Sequence, residues 1–134
     1  MAKNYLVTGG CGFIGSHICE ALVAEGGHVR ILDNLSSGYL DNIAGIRNQV
    51  EFMKGDIRDV EAVNDAVKGV DFIFHEAALV SVFDSVERPV DNNDINITGT
   101  LNVIEAARRH GAKRLLLASS AAVYGNDPAL PKTE

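Results

Sequence analysis

The sequence predicts an α/β fold built on a doubly wound parallel sheet, and three observations carry that prediction. Short apolar runs alternate with stretches whose apolar residues recur at helical spacing, an order that imposes right-handed crossovers and hence parallel strands. The first run leads at once into a glycine cluster that opens a helix. Polar clusters then recur at the C-terminal ends of the strand candidates, the edge where open α/β sheets bind ligands.

Tyr5, Leu6 and Val7 form an apolar run bounded by polar residues and glycine, the pattern of a buried parallel strand. The glycines from Gly9 to Gly12 turn the chain. Ile14, Ile18, Ala21 and Leu22 then mark a helix that stops at Glu25-Gly26-Gly27, where a glycine takes the left-handed cap. This order suits a dinucleotide, because glycines let the backbone approach a pyrophosphate and a helix N-terminus offers unpaired N–H groups. Gly10, Gly12 and Gly15 fit the G-x-G-x-x-G spacing, and Gly9, Gly12 and Gly15 fit G-x-x-G-x-x-G, so spacing leaves the frame open. The second strand, His28 to Leu32, ends at Asp33, eighteen positions past Gly15. That distance suits an acid reaching the adenosine ribose hydroxyls.

Asn34-Leu35-Ser36-Ser37-Gly38 reads as a polar loop, and the stretch to about Gly45 as weakly helical. The third strand is Val50 to Met53, closed by Lys54-Gly55-Asp56-Ile57. Asp59 caps the next helix, which carries Val60, Val63, Ala66 and Val67 on one face and Gly69 past its end. Val70 to Phe74 is the fourth strand, followed by His75-Glu76-Ala77-Ala78. Leu79 to Arg88 is a connection sized for an active site, ended by Pro89. A long helix is predicted from about Val90 to His110, with Val90, Ile97, Leu101 and Ile104 as its buried face and Gly111 beyond it. Leu115 to Ala118 makes the fifth strand, which gives way to Ser119-Ser120-Ala121-Ala122-Val123-Tyr124-Gly125 and an aperiodic tail from Asn126 to Glu134.

The composition narrows the partners. At 134 residues, 46% hydrophobic and 22% charged, the chain is an ordinary one-domain globular sequence. A net charge of -6 argues against a nucleic-acid backbone or an anionic membrane surface as partner. There is no apolar run of membrane-spanning length and no signal-peptide core, so a cytoplasmic location is expected. Cys11 and Cys19 lack metal or C-x-x-C spacing and read as reduced thiols. No metal site is expected, and His17, His28 and His110 read as solvated or capping residues.

Six segments stand in the order found in the extended short-chain dehydrogenase/reductases. They are Thr8 to Gly15, Asp33-Asn34, Gly55-Asp56-Ile57, His75-Glu76-Ala77-Ala78, Asn96-Ile97-Thr98-Gly99-Thr100 and Ser119 to Gly125. Over essentially its whole length the chain resembles the nucleotide-sugar epimerase/dehydratase group of that family. The resemblance selects Gly9, Gly12 and Gly15 as the glycine frame and implies a Rossmann-type sheet with NAD as cofactor. It places Gly9, Gly12, Phe13, Ile14 and Gly15 at the cofactor turn, Asp33 on the adenosine ribose diol with Asn34 beside it, and Asp56 and Ile57 against the adenine. It also places Ala77 and Ala78 along the cofactor groove, Asn96 and Ser119 on the cofactor side, and Ser120 as the catalytic Ser/Thr, four residues before Tyr124. Asp33, with no arginine beside it, favours NAD over NADP. His75 reads as a structural histidine, and Glu76 has no assigned role.

Within that group, Ala121-Ala122 stand where sugar 4,6-dehydratases carry an Asp-Glu pair and decarboxylase relatives a glutamate. Water elimination needs an acid and a base that alanine cannot supply. The Ser-Ser-Ala-x-Val-Tyr-Gly form is instead similar to UDP-hexose 4-epimerases. Val80, Ser81-Val82 and Ser85 lean toward the N-acetylhexosamine-accepting type, with Ser81 and Ser85 as substrate contacts, and Leu130-Pro131-Lys132 leans the same way. The implied substrates are UDP-GlcNAc/UDP-GalNAc or UDP-Glc/UDP-Gal, and the implied full-length protein is a homodimer. The implied reaction removes the sugar 4-hydroxyl proton as hydride leaves C4 for NAD, and hydride then returns to the other face of the 4-keto sugar.

In one respect the chain departs from the family. Its base is the tyrosine of a Tyr-x-x-x-Lys pair, yet four positions after Tyr5, Tyr39 and Tyr124 stand Gly9, Ile43 and Pro128. Residues 1–134 are therefore expected to be a truncated NAD-binding domain, without the later strands and the substrate domain, inactive alone and prone to self-association at its fifth strand. Two alternatives stay open: a non-catalytic NAD-binding sensor or scaffold, and a nucleotide-sugar dehydratase or reductase of the same family.

Overall fold

The computed structural model describes residues 2–126 and 128–132. Five strands form one parallel sheet: β1 (Asn4–Thr8), β2 (His28–Asp33), β3 (Val50–Lys54), β4 (Phe72–His75) and β5 (Arg114–Leu117). Their spatial order is β3-β2-β1-β4-β5. The chain winds outward from β1 to β3 and then crosses back to β4. The β1–β4 boundary is thus the switch point, where the carboxyl ends of the strands open a crevice.

Because successive side chains on a strand point to opposite faces, neighbouring residues of the central strands feed two separate cores. Leu6, Leu32 and Ile73 pack with Val63, Ala66 and Val67 of α2 (Val60–Val67) and with Val103, Ala106 and Ala107 of a later helix. Val7 and Ile31 pack on the other face with Cys19 and Leu22 of α1 (Phe13–Ala24) and with Ile43 and Ile46 of a 3-10 helix, Leu40–Ile46. Asp59 caps α2 as expected, its carboxylate accepting from the backbone N–H groups of Glu61 and Ala62. Val60, placed on the buried face in sequence, is exposed in the first turn. Gly26, Gly69 and Gly111 take positive φ at the helix ends.

The connection after β4 is more ordered than its sequence suggested. It holds α3 (Val82–Glu87), capped by the Ser81 hydroxyl, and then α4 (Pro89–Asn93), a π-helical stretch (Asp94–Gly99) and α5 (Thr100–His110). The long helix therefore exists, but its buried face is not the expected one. Val90, Ile97, Leu101 and Ile104 are exposed, whereas Gly99, Val103, Ala106 and Ala107 face the sheet. The helix carries two stripes, and the one with smaller residues packs inward because glycine and alanine permit close approach. A Cβ at Gly99 would lie 2.7 Å from Ile57 side-chain atoms. At the sheet margin β5 leaves Leu116 and Leu117 half-exposed. No helix among the described residues is long and apolar enough to cross a membrane.

Candidate functional site

A cleft of about 670 Å³ lies along the carboxyl ends of the strands and is lined by Gly9, Gly12, Phe13, Ile14, Gly15, Asp33, Asn34, Asp56, Ile57, Ala77, Ala78 and Ser81, among others. Most residues singled out in the sequence converge here.

The glycine turn forms one wall. Gly9 leaves β1 at φ 69°, donates to the Leu32 carbonyl at 2.9 Å, and accepts from Gly12 N–H at 3.0 Å. A Cβ at Gly9 would sit 2.8 Å from the Ala77 nitrogen, and one at Gly15 would sit 2.2 Å from the Gly9 carbonyl oxygen. Neither position tolerates a side chain. Helical geometry leaves the amides of Phe13, Ile14 and Gly15 without intrahelical acceptors, and Gly12 at the N-cap has no side chain to cap them. Those N–H groups and the helix dipole face the cleft, an arrangement that favours an anionic group.

Asp33 stands at the end of β2, buried, with its carboxylate fixed from two sides. One oxygen accepts from Cys11 N–H at 2.9 Å and the other from Leu35 N–H at 2.7 Å. Leu35 reaches that bond at φ 61°, an uncommon conformation for leucine, held because its side chain packs against the core beneath. Each carboxylate oxygen has a second lone pair, so Asp33 can accept two further bonds from a vicinal diol. The adjoining peptide is also clamped: the Cys11 carbonyl accepts from Tyr39 N–H and the Asn42 amide.

Asp56 is committed to protein partners. Its oxygens accept from the backbone and guanidinium of Arg58 and from the Asn34 amide at 2.9 Å, and the Arg58 bonds hold its carboxyl well below the usual range. Arg58 also lines the cleft. Its charge is neutralised in a bidentate ion pair with Asp56. Arg58 was legible as the residue two after Asp56. Beyond it, Asp84, Arg88 and Asp91 form an ion-paired rim that the sequence reading did not single out.

Other expectations separate. Asn96 lies behind the cleft wall, and its amide pairs with both the N–H and the carbonyl of Leu79, so it acts by fixing the loop after β4. Ser81 lines the cleft while capping α3, but Ser85 donates to the Val82 carbonyl and lies outside the lining. Ser119 and Ser120 are exposed beyond β5, where Ser120 caps a short 3-10 helix (Ala121–Tyr124) and is absent from the cleft lining. Of the tail, Asp127, Thr133 and Glu134 lie outside the described residues. Glu76 lines the cleft half-buried, and burial raises its carboxyl. The thiols of Cys11 and Cys19 are pushed up to about 11 and about 12, chiefly by burial, and stay protonated. No cluster of side chains among the described residues has the makings of a metal site.

A glycine cradle at a helix N-terminus, facing a fixed carboxylate across the switch point of a parallel sheet, defines a dinucleotide-binding domain of the Rossmann type. The NAD dependent epimerase/dehydratase family matches residues 5–134, and the chain belongs to that family. A UDP-glucose 4-epimerase from Klebsiella pneumoniae is 37% identical over 137 residues, covering 96% of this chain and 97% of that protein. Among solved structures, a UDP-N-acetylglucosamine 4-epimerase from Methanobrevibacter ruminantium, in complex with UDP-N-acetylmuramic acid, is 40% identical with a TM-score of 0.90, covering 99% of this chain and 43% of its own. A UDP-glucose 4-epimerase from Thermus thermophilus in complex with NAD is 42% identical with a TM-score of 0.85, covering 98% and 42%. The chain thus spans about two fifths of the length of most relatives it matches.

Proposed function

We propose that residues 1–134 are the NAD-binding part of a UDP-sugar 4-epimerase. The observation that carries this reading is the pairing of the Gly9–Gly15 cradle with the doubly anchored Asp33 carboxylate in one cleft. The Phe13, Ile14 and Gly15 amides hold the pyrophosphate, Asp33 accepts from the adenosine diol, and Ile57 flanks the adenine. Ala77 and Ala78 floor the groove. A 2′-phosphate would place negative charge against Asp33, so NAD is favoured over NADP. NAD supplies the hydride acceptor for sugar C4 and later the hydride donor.

Ser120 is the residue of this chain that would hydrogen-bond the sugar 4-oxygen, and Ser81 at the rim is the better placed of the two substrate serines. Ala121-Ala122 support epimerisation over dehydration, because neither side chain can move a proton. The 134 residues contain no Tyr-x-x-x-Lys pair, so they bind cofactor without turning substrate over. Incubating the purified chain, free of host epimerase, with UDP-GlcNAc or UDP-glucose and NAD tests this: no 4-epimer is expected, and its formation contradicts the reading. For the whole protein we infer a cytoplasmic homodimer. Two free buried cysteines suit a reducing compartment, and the exposed Ile97, Leu101 and Ile104 stripe suits a helix-on-helix contact.

A further inference from the structure

His75 closes β4 directly beneath the cleft and is 2% exposed. Its Nδ1 lies 2.6 Å from the Thr8 hydroxyl and its Nε2 lies 2.9 Å from the Thr100 hydroxyl, so one imidazole joins the ends of β1 and β4 to the start of α5. The Thr8 hydroxyl also accepts from Ala77 N–H at 3.3 Å. That contact matters because the Ala77 nitrogen lies only 2.8 Å from where a Gly9 Cβ would stand, so the Gly9 and Ala77 backbones approach closely under the cofactor groove.

The proton positions follow from which hydroxyl can reach water. Thr8 is fully buried and, with Ala77 N–H already donating to it, its own hydrogen has Nδ1 as acceptor. Thr100 is only partly buried, so its hydrogen can go to solvent. His75 is therefore the neutral tautomer with hydrogen on Nε2, accepting from Thr8 and donating to Thr100. A charged imidazole would present a second donor to Thr8 and strand the threonine hydrogen.

We propose that His75 is a positioning residue for the dinucleotide: through Thr8 it sets the spacing between the Gly9 turn and the Ala77 floor on which the cofactor lies. The inference rests on the NAD-binding reading of this cleft. It separates the two ring nitrogens, since Nδ1 faces the cradle and Nε2 faces the helix. An asparagine here keeps an acceptor near Nδ1 for Thr8, and a leucine keeps neither bond.

The test is calorimetric titration of NAD into the 134-residue chain and its His75→Asn and His75→Leu variants, with melting temperatures alongside. His75→Leu is expected to weaken NAD about tenfold or more and His75→Asn by less than about threefold, even where both lose similar thermal stability. Equal weakening by the two, or affinity that follows melting temperature alone, overturns the inference while leaving the NAD reading intact. Failure of the unaltered chain to bind NAD overturns that reading and the inference with it. Nitrogen NMR of the unaltered chain gives a second check that needs no variant. At pH 6 the His75 ring must be neutral with hydrogen on Nε2 and must shift on NAD addition; a charged ring, an Nδ1-protonated ring or an unmoved signal contradicts the assignment.

Discussion

The two ends of the site are built in unlike ways. At the glycine turn and Asp33, each functional group is fixed by the backbone beside it: the carboxylate by two amides, the Cys11 peptide by Tyr39 and Asn42, the Gly9 contact by Ala77. At the serine motif, Ser119 and Ser120 are exposed at the margin of the sheet, and their neighbours Leu116 and Leu117 are half-exposed. The glycine turn and Asp33 are thus preorganised by hydrogen bonds and close contacts between separate segments, whereas the groups assigned to sugar chemistry have no such enclosure. Substitutions at the two ends should behave accordingly.

The largest effect is expected at the cradle. Gly15→Ala puts a methyl group 2.2 Å from the Gly9 oxygen, among backbone atoms that cannot yield. NAD affinity should fall by more than about 100-fold, with overpacking of roughly 1–3 kcal/mol visible as a lower melting temperature. Near-normal affinity would mean that the turn is not rigid, and the contrast between the two ends would collapse.

An acid-side loss of stability sharpens the comparison further. Burial lowers His75 from the ordinary 6.5 to about 4. Between those values the unfolded chain takes up a proton that the folded chain refuses, so stability falls as pH drops from about 6.5 and the loss levels off near pH 4. The full window is worth at most about 3 kcal/mol. Urea unfolding of the unaltered chain across this range should show the slope, and the His75→Asn variant should lack this contribution. The smallest effect belongs to the open end: Ser120→Ala should leave NAD affinity within about twofold, measured by calorimetry, because Ser120 lies outside the cleft lining.

Most of the sheet was legible in the sequence, because buried parallel strands are apolar runs and the glycines and Asp59 mark the helix ends at fixed positions. What stayed hidden had physical causes. The long helix carries two apolar stripes, and side-chain size alone favours Val90, Ile97, Leu101 and Ile104; close packing on the sheet selects Gly99, Ala106 and Ala107 instead. Spacing located Asp33 and the family resemblance Asp56, yet only the structure separates an acid with free lone pairs from one taken up by Arg58 and Asn34. Ser81 and Ser85 look alike in sequence, but Ser81 caps α3 at the cleft, whereas Ser85, one turn further along, spends its hydroxyl on the Val82 carbonyl outside the lining. Thr8 and His75 escaped a functional reading because their link joins residues 67 positions apart.

The central claim is that the adenosine end is complete within these 134 residues. Calorimetric titration of the chain with NAD and with NADP, repeated on Asp33→Ala, tests it most directly. The structure predicts that NAD binds, that NADP binds much more weakly, and that Asp33→Ala costs NAD about 10- to 100-fold while narrowing the gap, as expected for a hydrogen bond to a charged group. A folded chain that binds neither dinucleotide, or binds both equally before and after the substitution, would contradict it.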